Sequence, residues 1–171
     1  MGTFIGFSHP RNPGLLTKIA MWLDDSDVSH VFMAYEDVDW KCTMIVQIDE
    51  FGFRLVPMSK FIKKNVIKDM VLMDLNHGDF ESGLARVARD YVGEMYDFKG
   101  FFGMGLALLF KRLFKGIKRR IRNPMASKET VICSEGAVLA LQYGNCPKSE
   151  QLIPDSTSPQ KLKEFLTGLY R

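Results

Sequence analysis

Cys133 is the residue of this 171-residue chain whose setting points most directly to chemistry. It lies where a short apolar run ends and a helical pattern, "CSEGAVLAL", begins. A helix N-terminus carries unpaired N–H groups and the positive end of the helix dipole, which favour a thiolate and could also stabilise the oxyanion of a tetrahedral intermediate. Cys133 is therefore a candidate nucleophile. The alternative is a packed core thiol, because free cysteine is among the most buried residue types.

A nucleophilic thiol needs a base, and His30 is the best candidate among the three histidines. It begins an apolar strand-like run in "DVSHVFMAY". His9 is expected in a proline-rich loop and His77 in an Asn-His-Gly turn, where both rings would be solvated.

A third group must orient the imidazole, and the next strand-like run, "MIVQIDE", offers three polar residues. Strand alternation places Gln47 and Asp49 on one face and Glu50 on the other. We favour Gln47 as the third member, with Glu50 or Asp49 as the alternatives.

The cysteines and histidines show no metal-ligand spacing, so we expect no metal and no cofactor. The odd cysteine count, with no charged-then-apolar leader after Met1, favours a reducing compartment and a cytoplasmic location. The length predicts one domain.

The elements that must position these residues follow from periodicity and turn signals. A helix near 14–24 precedes strand-like segments, and a helix capped by Asp79 follows them. A helix starting at Cys133 runs to Gly144, a natural C′ residue, and a last helix begins at Ser158-Pro159. The predicted strands are 30–35, 43–49, 52–56 and a segment near 69–75. This order predicts an α+β fold with an antiparallel sheet.

Residues 101–122 combine apolar and basic side chains. The apolar run 101–110 is too short to cross a bilayer. Two interpretations stay open. The pattern is typical of a helix lying flat on an anionic membrane, which would make the protein a peripheral membrane protein. It also fits a hairpin or lid that packs near the cleft with its lysines solvated, and this interpretation ranks slightly ahead. The modest net charge of +3 argues against nucleic acid as the main partner. The candidate surface residues are Lys111, Arg112, Lys115, Lys118, Arg119 and Arg120.

Five motifs occur in a characteristic order: "SHVFMAY", "GFRLVPMSKF", "GEMYDF", "ICSEGAVLAL" and "STSPQKL". In this order they resemble the circularly permuted branch of the NlpC-type papain-like superfamily. That branch includes YiiX-like proteins and their poxvirus relatives, and the lecithin retinol acyltransferase group is a more distant cousin. The resemblance implies a single permuted papain-like domain over 1–171. The chain departs from a minimal family member by a basic amphipathic insertion at about 98–124. It also implies that the cysteine helix follows the sheet, so that His precedes Cys.

Carried over to this chain, the resemblance makes Cys133 the nucleophile and His30 the base. Relatives often place a Glu at the third position, about five residues before a Gly-Val or Gly-Phe pair. Counting back from Gly52-Phe53 reaches Gln47, and a neutral amide can hold an imidazole tautomer.

Tyr96 and Asp97 match a family motif before the cysteine segment and are expected to line the cleft, and we expect Ser134 to contact substrate with them. The alternative for Tyr96 and Asp97 is a helix-end aromatic with its cap.

The mechanism implied is acyl transfer through a thioacyl enzyme. Our leading hypothesis is hydrolysis of an amide bond in a peptide or peptidoglycan-like substrate. A second hypothesis is a lipid-directed acyltransferase or thioesterase at a membrane surface. A third is a non-catalytic binding module on the same fold. The sequence makes no prediction of the oligomeric state.

Overall fold

The computed structural model describes residues 2–73, 78–93, 97–113 and 131–170. They form an α+β fold around an antiparallel sheet of five strands, which confirms the predicted class. The strands are β1 (Thr3–Pro10), β2 (His30–Asp37), β3 (Cys42–Asp49), β4 (Gly52–Pro57) and β5 (Asn65–Met73). The helices are α1 (Leu15–Asp24), α2 (Met58–Lys64), α3 (Phe80–Tyr91), α4 (Phe98–Leu113), α5 (Cys133–Tyr143) and α6 (Pro159–Tyr170).

The strand order β4-β3-β2-β1-β5 gathers the candidate residues at one end of the sheet. His30 begins β2 and pairs with Ser8 near the end of β1. Gln47 lies near the end of β3, opposite Phe32 of β2. Antiparallel neighbours bring the start of one strand next to the end of the next, so the His30 and Gln47 segments meet.

Alternation along the strands gives the sheet two apolar faces. Val31 and Met33 of β2 are buried in the main core with α3, α5 and α6. Phe32 and Ala34 belong to a smaller core on the opposite face, which α2 covers with Phe61. The Phe32 and Phe61 ring centroids lie 4.8 Å apart. Both faces of the central strand are therefore closed, and its register is fixed.

Close packing of α3 on α5 fixes the position of the cysteine helix. A Cβ on Gly83 of α3 would lie 2.0 Å from the carbonyl oxygen of Ala140 in α5, so only glycine allows this approach. The Asp79 N–H also donates to the Gly144 carbonyl at 2.8 Å. Asp79 caps α3 as predicted, because its Oδ1 accepts from the Ser82 N–H at 3.0 Å.

The strand β1 is not among the elements predicted from the sequence. His9, expected in a loop, lies in β1 and pairs with Val66. Gly6 weakens the apolar pattern of this strand, but the fold requires a glycine there. A Cβ on Gly6 would lie 2.1 Å from Cζ of Phe32. The short helix α2 is likewise not predicted.

The end of the cysteine helix also differs from expectation. Gly144, predicted as the C′ residue, is the C-cap with φ −82°. The next residue, Asn145, adopts the left-handed conformation instead, with φ 50°. Gly144 is instead required by proximity, because a Cβ there would lie 2.4 Å from the Asp79 carbonyl oxygen.

The first part of the apolar and basic segment forms the helix α4, and the rest of the predicted insertion lies outside the described residues. Within the described part of the chain, none of the helices has both the length and the apolar character needed to span a bilayer.

Candidate active site

Cys133 is the first residue of α5, as the sequence predicts. The extended residue Ile132 precedes it, and the Ile132 carbonyl accepts the first helical hydrogen bond, from the Gly136 N–H, at 3.0 Å. Val131 and Ile132 are both buried, which anchors the approach to the helix. Cys133 is a free cysteine, without a disulfide to another described residue, and it is only 6 % exposed. The fold therefore holds the sulfur at a helix N-terminus.

The surroundings of Cys133 favour its thiolate. Burial opposes the charge and raises the pKa of the thiol. The positive charge of His30 and a hydrogen-bonding interaction with its ring act in the opposite direction, helped by the backbone N–H groups of Val31 and Ser134. The net result is a lowered pKa for Cys133.

His30 shows the complementary change. Burial alone would lower the pKa of its imidazole, but the Cys133 thiolate, the Asp49 carboxylate and the Gln47 side chain together raise it. A lowered thiol pKa beside a raised imidazole pKa favours transfer of the Cys133 proton to His30, which would give a thiolate–imidazolium pair. This pair is the protonation state in which a cysteine is nucleophilic.

The His30 ring has one unsatisfied position. Its Nε2 is shielded from solvent and has no well-formed hydrogen bond with any described residue. Any polar contact of Nε2 with Cys133 or Gln47 is therefore long or bent. Catalytic hydrogen bonds often tighten only when the substrate binds.

Gln47 and Asp49 form a chain of contacts behind His30. The Gln47 side chain is 7 % exposed, and its Nε2 donates to Asp49 Oδ2 at 2.9 Å. Asp49 Oδ1 accepts from the Phe51 N–H and from Arg54 Nε, both at 3.0 Å, and Arg54 also pairs with Oδ2. Because the amide nitrogen of Gln47 is committed to Asp49, its carbonyl oxygen is free to accept from the imidazole.

Glu50, the other candidate for the third position, lies apart from this chain of contacts. It is exposed in the turn after β3, and its charge is not among the interactions that shift the pKa of His30. The geometry therefore brings together Cys133, His30, Gln47 and Asp49.

An apolar cavity of about 300 Å³ has the candidate nucleophile in its lining. Cys133 and Ser134 line it together with residues of α1 and α4, which provide most of its walls. Ser134 is fully buried, and its Oγ has no hydrogen-bond partner among the described residues. The apolar wall includes Leu16, Ile19, Leu23, Phe101, Leu108 and Leu109.

A larger groove of about 880 Å³ reaches the other member of the pair, His30. Leu16, Phe101 and Phe102 line both the cavity and the groove, so the two adjoin beside Cys133 and His30. The groove also carries four cations that sequence reasoning did not single out. They are Arg54 of β4 and Lys60, Lys63 and Lys64 of α2. The three lysines occur in the short run "KFIKK", and Arg54 lies in the motif "GFRLVPMSKF".

Asp97 is 4 % exposed and lines neither the cavity nor the groove. Its N–H donates to the Val131 carbonyl at 3.4 Å, and its own carbonyl accepts from the Phe101 N–H at 2.9 Å. Asp97 therefore ties the start of α4 to the segment before Cys133.

The remaining predicted site residues lie either in α4 or outside the described residues. Lys111 and Arg112 belong to its last turn. Tyr96, Lys115, Lys118, Arg119 and Arg120 lie outside the described residues.

Glu135 is a half-buried acid in the first turn of α5. The Ile132 N–H donates to its Oε2 at 3.4 Å. Burial, together with the charges of Asp155 and Asp97, raises the pKa of Glu135 to about 7, against the lowering effect of the Ile132 hydrogen bond. Within the described ranges, these acids and the other titratable side chains form no group of three that could hold a metal ion.

No protein-family model matches this chain, and no curated protein matches it at a significant level. The function is therefore argued from the geometry of the site.

Proposed function

We propose that this protein is a cysteine hydrolase that works by acyl transfer, on a permuted papain-like fold. The observation that carries the proposal is the mutual effect of Cys133 and His30 on each other's pKa at the start of a buried helix. The order of elements also fits, because a histidine-bearing antiparallel sheet precedes the cysteine helix.

In the first half-reaction, the Cys133 sulfur attacks the carbonyl carbon of the substrate, and the C=O electron pair moves onto oxygen. We assign the N–H groups at the start of α5 and the Ser134 hydroxyl, which has no partner among the described residues, as the donors to this oxyanion. The tetrahedral intermediate then collapses to a thioester. The leaving group departs with the proton that His30 donates.

In the second half-reaction, His30 takes a proton from water, or from an acceptor alcohol, as that oxygen attacks the thioester. The thiolate leaves, and the acid or the new ester is released. Gln47 keeps the imidazole oriented, and Asp49 with Arg54 keeps Gln47 oriented.

The cavity favours a lipid ester over a peptide amide as the acyl donor. Its wall is mostly apolar, and Cys133 is part of that wall, so the acyl group of a thioester on Cys133 would lie against it. Its volume of about 300 Å³ is at the lower end of the range for small-molecule sites. We therefore propose a lipid-directed hydrolase or acyltransferase ahead of a peptide or peptidoglycan amidase.

Exposed apolar side chains near the cavity support action at a membrane surface. On α1, Leu15 is 75 % exposed and Trp22 58 % exposed. On α4, Phe102 and Phe110 are also largely exposed. Amphipathic helices that carry such residues bind at the lipid interface. A peripheral contact with an anionic membrane is therefore part of the proposal.

The test is detection of the thioacyl enzyme by intact mass after mixing with a neutral long-chain aryl ester, compared with a peptide amide. Wild type is expected to gain one acyl mass from the ester, and Cys133→Ala none. His30→Ala is expected to slow acylation by about a hundredfold, the usual contribution of a positioned acid or base.

Gly105→Leu probes the cavity without disturbing the helix that carries it. Gly105 lines the cavity, and a Cβ there would meet nothing within 4 Å, so leucine fills empty space. We expect this variant to lose acylation by long chains and to keep it for acetyl esters. Gly168→Leu, in equally open surroundings on α6, is the control.

A thioacyl adduct formed equally well by Cys133→Ala, or no adduct with any ester or amide, would overturn the proposal and favour a non-catalytic binding module. Faster acylation by the peptide amide than by the long-chain ester would favour the amidase.

A further inference from the structure

The three lysines of α2 are held on one side of a short helix. Lys60, Lys63 and Lys64 are spaced i, i+3 and i+4, so they share a face, and all three are exposed. Phe61, between them in sequence, is 2 % exposed and packs on Phe32. This buried anchor fixes the rotation of α2 and keeps the lysine face on the groove.

The charge of the groove is positive beside the nucleophile. Four cations line it against two carboxylates, Asp49 and Glu50. Asp49 is already paired with Arg54, so the three lysines dominate the remaining charge. Lysine binds phosphate as a compact point charge.

The apolar cavity and the basic groove share a wall, formed in part by Leu16, Phe101 and Phe102. A substrate that spans both would be an amphiphile with an acyl chain at one end and an anionic group at the other. Its ester carbonyl would lie where the cavity and the groove adjoin, beside Cys133 and His30.

We propose that the groove lined by Lys60, Lys63 and Lys64 binds the phosphate of an anionic phospholipid whose acyl chain occupies the apolar cavity. The inference rests on the proposed function for the bond that is broken. That bond is the ester between the acyl carbonyl and a glycerol oxygen, which leaves as an alcohol with the proton from His30. The exposed apolar residues of α1 beside the cavity favour a lipid over a water-soluble acyl phosphate.

The experiment measures binding in the Cys133→Ala protein, so that no chemistry is required. Dihexanoyl phosphatidylglycerol, dihexanoyl phosphatidylcholine and inorganic phosphate are titrated separately by calorimetry, each lipid below its micellar concentration. We expect the anionic lipid to bind at least about tenfold more tightly than the zwitterionic lipid, a difference of about 1.4 kcal/mol. Inorganic phosphate alone is expected to bind more weakly than the anionic lipid, because it gains nothing from the cavity.

The lysine variant and its control isolate the groove. Exchange of Lys60, Lys63 and Lys64 for Gln is expected to remove the preference for the anionic lipid. The matched control exchanges three exposed lysines that line neither the cavity nor the groove, and it is expected to keep the preference. These three are Lys41, Lys68 and Lys148. The preference should also fall with added salt, because exposed charges are screened.

Equal binding of the two lipids, or equal losses in the lysine variant and its control, would overturn the inference. Binding of inorganic phosphate as tight as that of the anionic lipid would also overturn it, in favour of a soluble anion. Headgroup-selective binding without thioacyl formation on wild type would support the groove and overturn the proposed function, so the two failures are distinguishable.

Discussion

At the scale of single residues, the site depends on two groups that burial would keep neutral if each stood alone. Burial raises the pKa of Cys133 and lowers that of His30, yet both net shifts run the other way. The charged form of each group is therefore stabilised by the charge of the other. Loss of either partner should leave the other neutral, which makes the pair the unit that titrates.

This pairing predicts how thiol reactivity depends on pH. Because His30 lowers the pKa of Cys133, the thiolate persists as pH falls. Because Cys133 raises the pKa of His30, the imidazolium persists as pH rises. His30→Ala removes the compensation and keeps the burial, so the pKa of Cys133 should rise. We expect alkylation of Cys133 by iodoacetamide at about pH 7 to slow at least tenfold, with the difference shrinking toward about pH 10.

Cys146 provides an internal reference, since burial raises the pKa of its thiol to about 11. Peptide mapping of the alkylated protein should show Cys133 modified well before Cys146 near neutral pH. If the rate profiles of wild type and His30→Ala coincide, Cys133 and His30 do not form an ion pair.

At the scale of elements, close contacts at glycines between α3 and α5 fix the position of the cysteine helix, and these contacts cannot be read from the sequence. Gly83→Ala puts a Cβ against the Ala140 carbonyl of α5. This clash outweighs the gain in helix propensity of about 1 kcal/mol. We expect a net loss of about 2–3 kcal/mol, measured by urea denaturation. The same exchange at Gly168, where a Cβ meets nothing within 4 Å, should stabilise instead. A neutral Gly83→Ala would mean that α3 and α5 are packed less closely.

The sequence predicts the parts of the fold that local patterns control. The strands around His30 and Gln47, the Asp79 cap and the start of the helix at Cys133 all follow from alternation, capping and periodicity. The strand β1 cannot be predicted in this way, because Gly6 interrupts its apolar pattern. A glycine is needed at this position because the Phe32 ring occupies the space of a Cβ.

The prediction of the site has the same limit. Side chains that share a strand can be placed on one face from the sequence, as Gln47 and Asp49 were, but their hydrogen bond to each other is seen only in the structure. The lysines of α2 reach the His30 groove only because Phe61 packs on Phe32. That packing joins distant segments and has no local signature.

At the scale of the whole molecule, three separate segments converge near the start of α5. Glu135 lies close enough to Asp97, before α4, and to Asp155, after α5, for their charges to raise its pKa. All three acids must be brought together by folding. In the unfolded chain the three acids are far apart and solvated. The pKa of Glu135 therefore differs between the folded and unfolded states, and the free energy of unfolding depends on pH.

The coupling has a defined sign. The pKa of Glu135 rises from 4.5 to about 7 on folding, so the folded state binds more protons between these values. The free energy of unfolding should therefore fall by about 2–3 kcal/mol as pH rises through this window, because Glu135 loses its proton more easily in the unfolded chain. Glu135→Gln keeps an acceptor for the Ile132 N–H and removes the charge. We expect urea denaturation to show wild type and variant with similar stabilities near pH 4, and the variant as the more stable near pH 8. Glu150→Gln, at an exposed position, is the control and should follow wild type. A Glu135→Gln variant that tracks wild type at both pH values would show that the Glu135 carboxylate is charged and solvated in the folded protein.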